Sequence, residues 1–251
     1  MADDRDARIA QLEAEAQRRD AELQAARAEK DATVAIPIVM AQRASPVEDG
    51  FVASLARPGG NVTGLTTISR ELIKKRLELF KEAVPGLSRV GVLWHPGIAA
   101  PANEFRLAEA AAGPLGLELR SLEVRDPEAL QAAFEHGVEQ PAEALLLLDN
   151  PILVNSAARV SALALLHRLP MCSMDRVLAA AGGLLAYGAD RGAVYRRAAG
   201  FVDRILKGAS PAEMPIERPT AFELAINLGT AQTLGLTIPQ SVLQQATEVI
   251  Q

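Results

Sequence analysis

The run AEALLLLDN, Ala142 to Asn150, is unbroken and apolar from Ala144 to Leu148 and stops abruptly on an acid and an amide. It is too short for a buried helix and is bounded by turn-forming residues, so it reads as a strand covered on both faces, the pattern of a parallel sheet. Its neighbours repeat the same grammar. DPEALQAAFEHGVEQ (126–140) precedes it as a helix with Asp126 as cap and Pro127 at the first position, and NSAARVSALALLHRL (155–169) follows it as another.

Further out come the strands RVGVLWH (89–95), LELRSLEV (117–124), PMCSM (170–174) and GGLLAYGA (182–189). Between and after them lie the helices ANEFRLAEAAAGPLG (102–116), RVLAAA (176–181) and RGAVYRRAAGFVDRILKG (191–208). Strand and helix in alternation predict an α/β fold, with one complete doubly wound lobe of parallel strands over 87–209. Upstream, VAIPIVMA (34–41) and NVTGLT (61–66) are expected strands and PVEDGFVASLA (46–56) an expected helix. SRELIKKRLELFKEAVPGL (69–87) is a helix with Leu72, Leu79 and Ala83 on one face, stopped by Pro85-Gly86. Downstream, residues 210–251 are Pro-punctuated, then give the strand FELAIN (222–227) and short helices. Residues 33–86 with 210–251 are therefore expected to form a partial first lobe and its crossing segments.

Residues 1–32 form a separate segment, rich in Ala, Glu, Arg, Asp and Gln without Gly or Pro, and predict one long charged helix. From Ile9 the spacing runs through Leu12, Ala16, Arg19, Leu23, Ala26 and Lys30, a coiled-coil seam with charges at apolar positions. This leaves two readings, weak homo-oligomerisation through residues 1–31 or a solvated helix projecting alone. The chain as written shows neither a secretion signal nor a long apolar span, so a cytoplasmic location is the expectation for it.

Composition narrows the function. Aromatic residues are 4% of the chain and the formal net charge is -5, which supplies neither stacking platforms nor phosphate attraction, so nucleic acid is not an expected partner. The single cysteine, Cys172, excludes an internal disulfide and a multi-cysteine metal site. SLARPGGNVTGL (54–65) has neither glycine spacing of a phosphate loop. It reads as a helix end at Ala56 with Gly59-Gly60 turning the chain.

His136 and His167 lie late in helices and read as structural, and no two histidines stand at metal-ligand spacing. No nucleophile elbow or carboxylate pair is present, so neither catalysis nor a cofactor or metal is expected. Binding is the expected activity. Ligands of open α/β sheets sit beyond the carboxyl ends of strands, which singles out His95, Asp149, Asn150, Met174, Asp175 and Tyr187.

Three stretches carry a family resemblance: IPIVMAQRASPVEDGFVASLARPGGNVTGL and its continuation to Pro96, GGLLAYGADRGAVYRRAAGFVDRILKGASP (182–211), and FELAINLGTAQTLGLTIPQSVL (222–243). They resemble the ABC-transporter substrate-binding proteins of the tryptophan/tyrosine-uptake type. The resemblance implies a type I periplasmic binding fold whose two lobes close on a small, amino-acid-like ligand and present it to an ABC permease. It also implies a periplasmic setting.

Where the family has Asp-Pro and Asn-Pro after two of its strands, this chain has Ser45-Pro46 and His95-Pro96, so Ser45 joins the expected ligand contacts without a carboxylate. Asp149 is the expected partner of a ligand ammonium and Asn150 a donor to its carboxylate. The family also has an export signal and several strand-helix units ahead of Ile36, where this chain has the charged helix. That predicts a first lobe reduced by half and weakened binding. Residues 1–31 separately resemble the helical linkers of bacterial sensor proteins, which implies a competing reading as a cytoplasmic sensor or interaction module.

Overall fold

The computed structural model describes residues 33–43, 46–47, 49–66, 69–139, 142–148 and 150–251. The expected charged helix over 1–32, with its self-pairing, lies outside them. In chain order the elements are β1 (Ile38–Arg43), β2 (Val62–Thr66), α1 (Ser69–Ala83), β3 (Arg89–Trp94), α2 (Ala99–Ala112), β4 (Glu118–Glu123), α3 (Ala129–Glu139) and β5 (Ala144–Leu147). They continue with α4 (Pro151–Asn155), α5 (Ala157–Leu166), β6 (Met171–Ser173), α6 (Arg176–Ala180), β7 (Leu185–Ala189), α7 (Arg191–Leu206), β8 (Phe222–Asn227), α8 (Leu228–Leu234), α9 (Gln240–Leu243) and β9 (Glu248–Ile250).

The described residues fall into two compact units, one from 33–66 with Asp190–Ala221 and the other Ser69–Ala189 with Phe222–Gln251. The second holds a seven-stranded sheet in the order β4-β3-β5-β6-β7-β8-β9. β3 through β7 are mutually parallel, β8 runs antiparallel to β7, and β9 is parallel to β8. Strand alternation sorts the side chains between two cores. Val90, Val92 and Trp94 of β3, with Ala144, Leu146 and the following Leu148, pack with Ile73, Leu77, Phe80 and Ala83 of α1. Leu93, Leu145 and Leu147 face the opposite way onto Phe134, Leu153, Val160 and Leu163 of α3, α4 and α5. Helices on both faces are why the strands are apolar throughout.

The cut between the units differs from the division expected from local pattern. β8 and β9 close the sheet of the second unit, because Leu224 and Ile226 enter the same core as Leu185. α1 belongs there too, through its buried stripe, while α7 belongs to the first unit. Periodicity identifies an element but not the sheet edge it will cover.

In the first unit β1 and β2 are parallel, with Ile38 opposite Val62 and Met40 opposite Gly64. Their core is Val52, Val62 and Ile216, with Ile38, Met40, Phe51 and Leu55 against it. Gly64 takes φ +127°, and a Cβ there would stand 2.1 Å from the Met40 carbonyl oxygen, so the close approach of the two strands requires glycine. Glu217 bridges to Leu65 of β2 and accepts from the Arg197 guanidinium of α7 at 2.6 Å, which holds its carboxyl below the usual range.

The helix expected over 46–56 is not formed among the described residues. The Pro46 carbonyl accepts from both Phe51 and Val52 N–H groups, closing a single turn. The Ser54 hydroxyl then takes over local pairing, accepting from the Arg57 N–H at 3.0 Å and donating to the Arg57 carbonyl at 3.1 Å. A side chain that bonds its own backbone in this way competes with helix extension. Ala56 therefore ends no helix, although Gly59 does take the left-handed φ, +76°.

Candidate functional site

The order of the parallel strands reverses at β3: the chain goes from β3 to β4 on one side and then to β5 on the other. Such a switch point opens a crevice beyond the carboxyl ends of the two flanking strands. Leu93 pairs with Leu147, Leu146 with Cys172 and Ser173 with Ala186. Carried one residue on, this register brings Trp94, Leu148, Met174 and Tyr187 to one level at the sheet's carboxyl edge. Trp94 is stacked on Phe105 with centroids 4.7 Å apart and donates its indole N–H to the Ser121 hydroxyl at 2.8 Å. With Leu148 and the half-buried Tyr187 it forms an apolar floor.

Around this floor the expected site residues have distinct situations. His95 follows β3, and both its ring nitrogens are engaged: Nδ1 accepts from the Gly97 N–H at 3.0 Å and Nε2 lies 3.2 Å from the Arg125 carbonyl oxygen. A carbonyl can only accept, so Nε2 carries the proton and His95 ties the tip of β3 to the end of β4. Asp175 is buried and caps α6, accepting from the Val177 N–H at 2.9 Å, while its carbonyl accepts from the Ser173 hydroxyl at 3.0 Å. Met174 is half-buried just beyond β6. Tyr187 lies against Phe222, and its phenol is held above its ordinary pKa by burial, with the Arg76 charge opposing. Ser45 and Asp149 lie outside the described residues.

Asn150 carries the polar chemistry of the β5 tip. It is 0% exposed, and its Oδ1 accepts from the Ile152 N–H at 2.9 Å, capping α4. Its amide nitrogen has no hydrogen-bond partner among the described residues. Buried donors are nearly always paired, so this one has a hydrogen bond left to give, to a water or to a ligand.

Sequence reasoning missed Arg76. It lies in the middle of α1, is 1% exposed, and donates from Nε to the Tyr187 carbonyl at 3.1 Å. The signal was available, because Leu72, Arg76, Leu79 and Ala83 form one stripe of a 3.6-residue helix and Arg76 is its only charged member. Cys172, on β6 beneath it, is pushed up to about 12 by complete burial, with the Arg76 charge acting against that rise. A thiol so placed is inert as a nucleophile. Among the described residues no cluster of His, Cys, Asp or Glu could hold a metal ion, and no helix is long and apolar enough to cross a membrane.

Comparison with known proteins identifies the family and the fold. The family model described as ABC transporter substrate binding protein matches residues 21–250. A tyrosine-binding protein of Clostridioides difficile (strain R20291) is 27% identical over 211 residues, which are 84% of this chain and 60% of that protein's length. The chain thus spans less than two thirds of this relative. A crystal structure of an ABC domain in complex with L-Trp from Streptococcus pneumonia has a TM-score of 0.78 at 25% identity, covering 88% of this chain and 74% of that one. A conserved domain protein from Vibrio cholerae O1 biovar eltor also scores 0.78, at 27% identity, covering 85% and 71%. The fold is the α/β, type I periplasmic-binding-like one that the resemblance implied.

Proposed function

We propose, of a chain that belongs to the family of ABC transporter substrate binding proteins, that it captures a free amino acid of the tyrosine or tryptophan class for an ABC permease. The carrying observation is Asn150, wholly buried at the sheet's switch point with its amide nitrogen unpartnered among the described residues. An amide donor placed beside the apolar floor of Trp94, Leu148 and Tyr187 suits a ligand with one polar end and one apolar end. The names of the tyrosine-binding relative and of the L-Trp complex supply the ligand class.

In this reading Asn150 donates to the ligand carboxylate and Asp149, the residue before it, accepts from the ammonium. His95 has no free ring nitrogen to offer and acts by fixing the shape of the β3 tip. Met174, Asp175 and Tyr187 border the same edge. The ligand is held and released unchanged, as befits relatives named for binding.

Trp94 is the chain's single tryptophan and sits at the proposed floor, so it is a built-in reporter. Equilibrium dialysis with labelled L-tyrosine and L-tryptophan, paired with selective excitation of Trp94 during the L-tyrosine titration, tests the proposal. Saturable 1:1 uptake with a change in Trp94 emission is expected, together with loss of uptake in Asp149→Ala. Absence of saturable uptake of either amino acid at millimolar concentration would overturn it.

A further inference from the structure

We infer that Arg76 is the counter-charge for the ligand's carboxylate. The inference rests on the amino-acid reading above and names the residue on which that reading's charge recognition depends. Arg76 projects from the middle of α1 on the side that packs with Leu77, Phe80, Trp94, Leu148 and Cys172, and it is 1% exposed. One edge of its guanidinium is spent, with Nε donating to the Tyr187 carbonyl at 3.1 Å. Nη1 is shut away from solvent and finds no hydrogen-bond acceptor among the described residues, and no carboxylate among them pairs with the group.

A buried lysine would relieve such a situation by losing its proton. Arginine does not deprotonate in proteins, so the charge persists and needs an anion nearby. The neutral Tyr187 carbonyl does not supply one.

Location selects the anion. Tyr187 stands level with Trp94, Leu148 and Met174 at the carboxyl edge of the sheet, where β6 has already ended at Ser173. The guanidinium that reaches the Tyr187 carbonyl is therefore at the strand tips, on the face of the apolar floor. A guanidinium with Nε anchored and Nη1 unpaired among the described residues has a charged donor left for a carboxylate oxygen. The orphaned Asn150 amide at the β5 tip is a second donor of the right kind. An internal pair between Arg76 and Asp149 is the competing account, and the test separates the two.

The probes are L-tyrosine, tyramine, which is the same molecule without the carboxylate, and L-tyrosinamide, which keeps the shape without the negative charge. In the wild-type protein L-tyrosine is expected to bind tenfold to a hundredfold more tightly than either analogue, the range of a hydrogen bond to a charged group. In Arg76→Met this advantage is expected to collapse to within about threefold, while Arg76→Lys retains part of it. An undiminished preference for the acid in Arg76→Met would overturn the inference and leave the amino-acid reading standing, as the internal-pair account requires. Failure of the wild-type protein to bind L-tyrosine or L-tryptophan would overturn both.

Should Arg76→Met not fold, the wild-type protein still decides by NMR, with the Arg76 guanidinium signals assigned through Arg76→Lys. L-tyrosine is expected to shift the Nη resonances and tyramine to leave them in place. An equal response to both probes, or none to either bound ligand, would overturn the inference.

Discussion

Arg76 and Asn150 show what single residues reveal when their surroundings are known. In the sequence Arg76 is one of several basic residues in SRELIKKRLELFKEA, and reading only its apolar members passes over the gap it fills in the Leu72, Leu79, Ala83 stripe. Asn150 was legible as a strand-end polar residue, but its dual state, Oδ1 occupied and amide nitrogen without a partner among the described residues, belongs to the folded geometry. His95 was legible in position and not in role, because its partners, Gly97 and Arg125, come from two different connections. Gly64 carries a direct test at this scale. With φ at +127° and the Met40 carbonyl oxygen 2.1 Å from the place of a Cβ, Gly64→Ala has to move β2 away from β1. Urea unfolding should show a loss of at least about 2 kcal/mol, the upper part of the range for a residue forced into a disfavoured backbone region. A loss below about 0.5 kcal/mol, the size expected of an unconstrained surface position, would mean that the two strands do not approach as described.

The elements legible in advance were those whose pattern depends on local chemistry. β3 and β5 announce themselves by apolar runs that helices cover on both faces, and α3 by Asp126, whose carboxylate accepts from the Ala129 N–H at 2.7 Å. The expected helix over 46–56 failed because Ser54 bonds to the backbone of Arg57, a competitor that a hydrophobic pattern does not register. β9 is three residues long and exists by pairing with β8, so no local signal marks it. Glu143 shows how the starts of two strands are joined. Its Oε2 accepts from the backbone N–H groups of Ser88 and Arg89, at 2.8 and 2.9 Å, and from the Ser88 hydroxyl at 3.0 Å.

Those hydrogen bonds, the Arg89 N–H foremost, hold the Glu143 carboxyl below its ordinary value of 4.5. Its pKa is depressed on folding, so between the folded and unfolded values the unfolded chain binds more protons. The stabilisation is present above the unfolded value and fades as pH falls through the folded one. Glu217, held down by Arg197, adds a contribution of the same sign in the first unit. Unfolding followed between pH 7 and pH 3 should therefore show stability falling below about pH 4.5, with a shallower fall in Glu143→Gln. Identical pH profiles for the two proteins would contradict this account of how β3 and β5 are tied.

At the scale of the molecule, the resemblance read from the sequence and the α/β fold agree, and the family match over residues 21–250 places the chain among the substrate-binding proteins. What pattern could not supply was the order of strands across the sheet. That order puts the reversal between β4 and β5 around β3, and it makes a single carboxyl edge out of residues from four separate segments of chain. The candidate site was thus half legible: its members could be named from strand ends, but the buried cation and the unpartnered amide could not. The capture of an amino acid at this edge is tested most directly by mapping backbone amide shifts of the isotopically labelled protein as L-tyrosine is added. The account predicts that the largest changes fall at His95, Gly97, Asn150, Ile152, residues 174–177 and residues 187–188. Changes concentrated on the far ends of these strands, or none at saturating ligand, would contradict it.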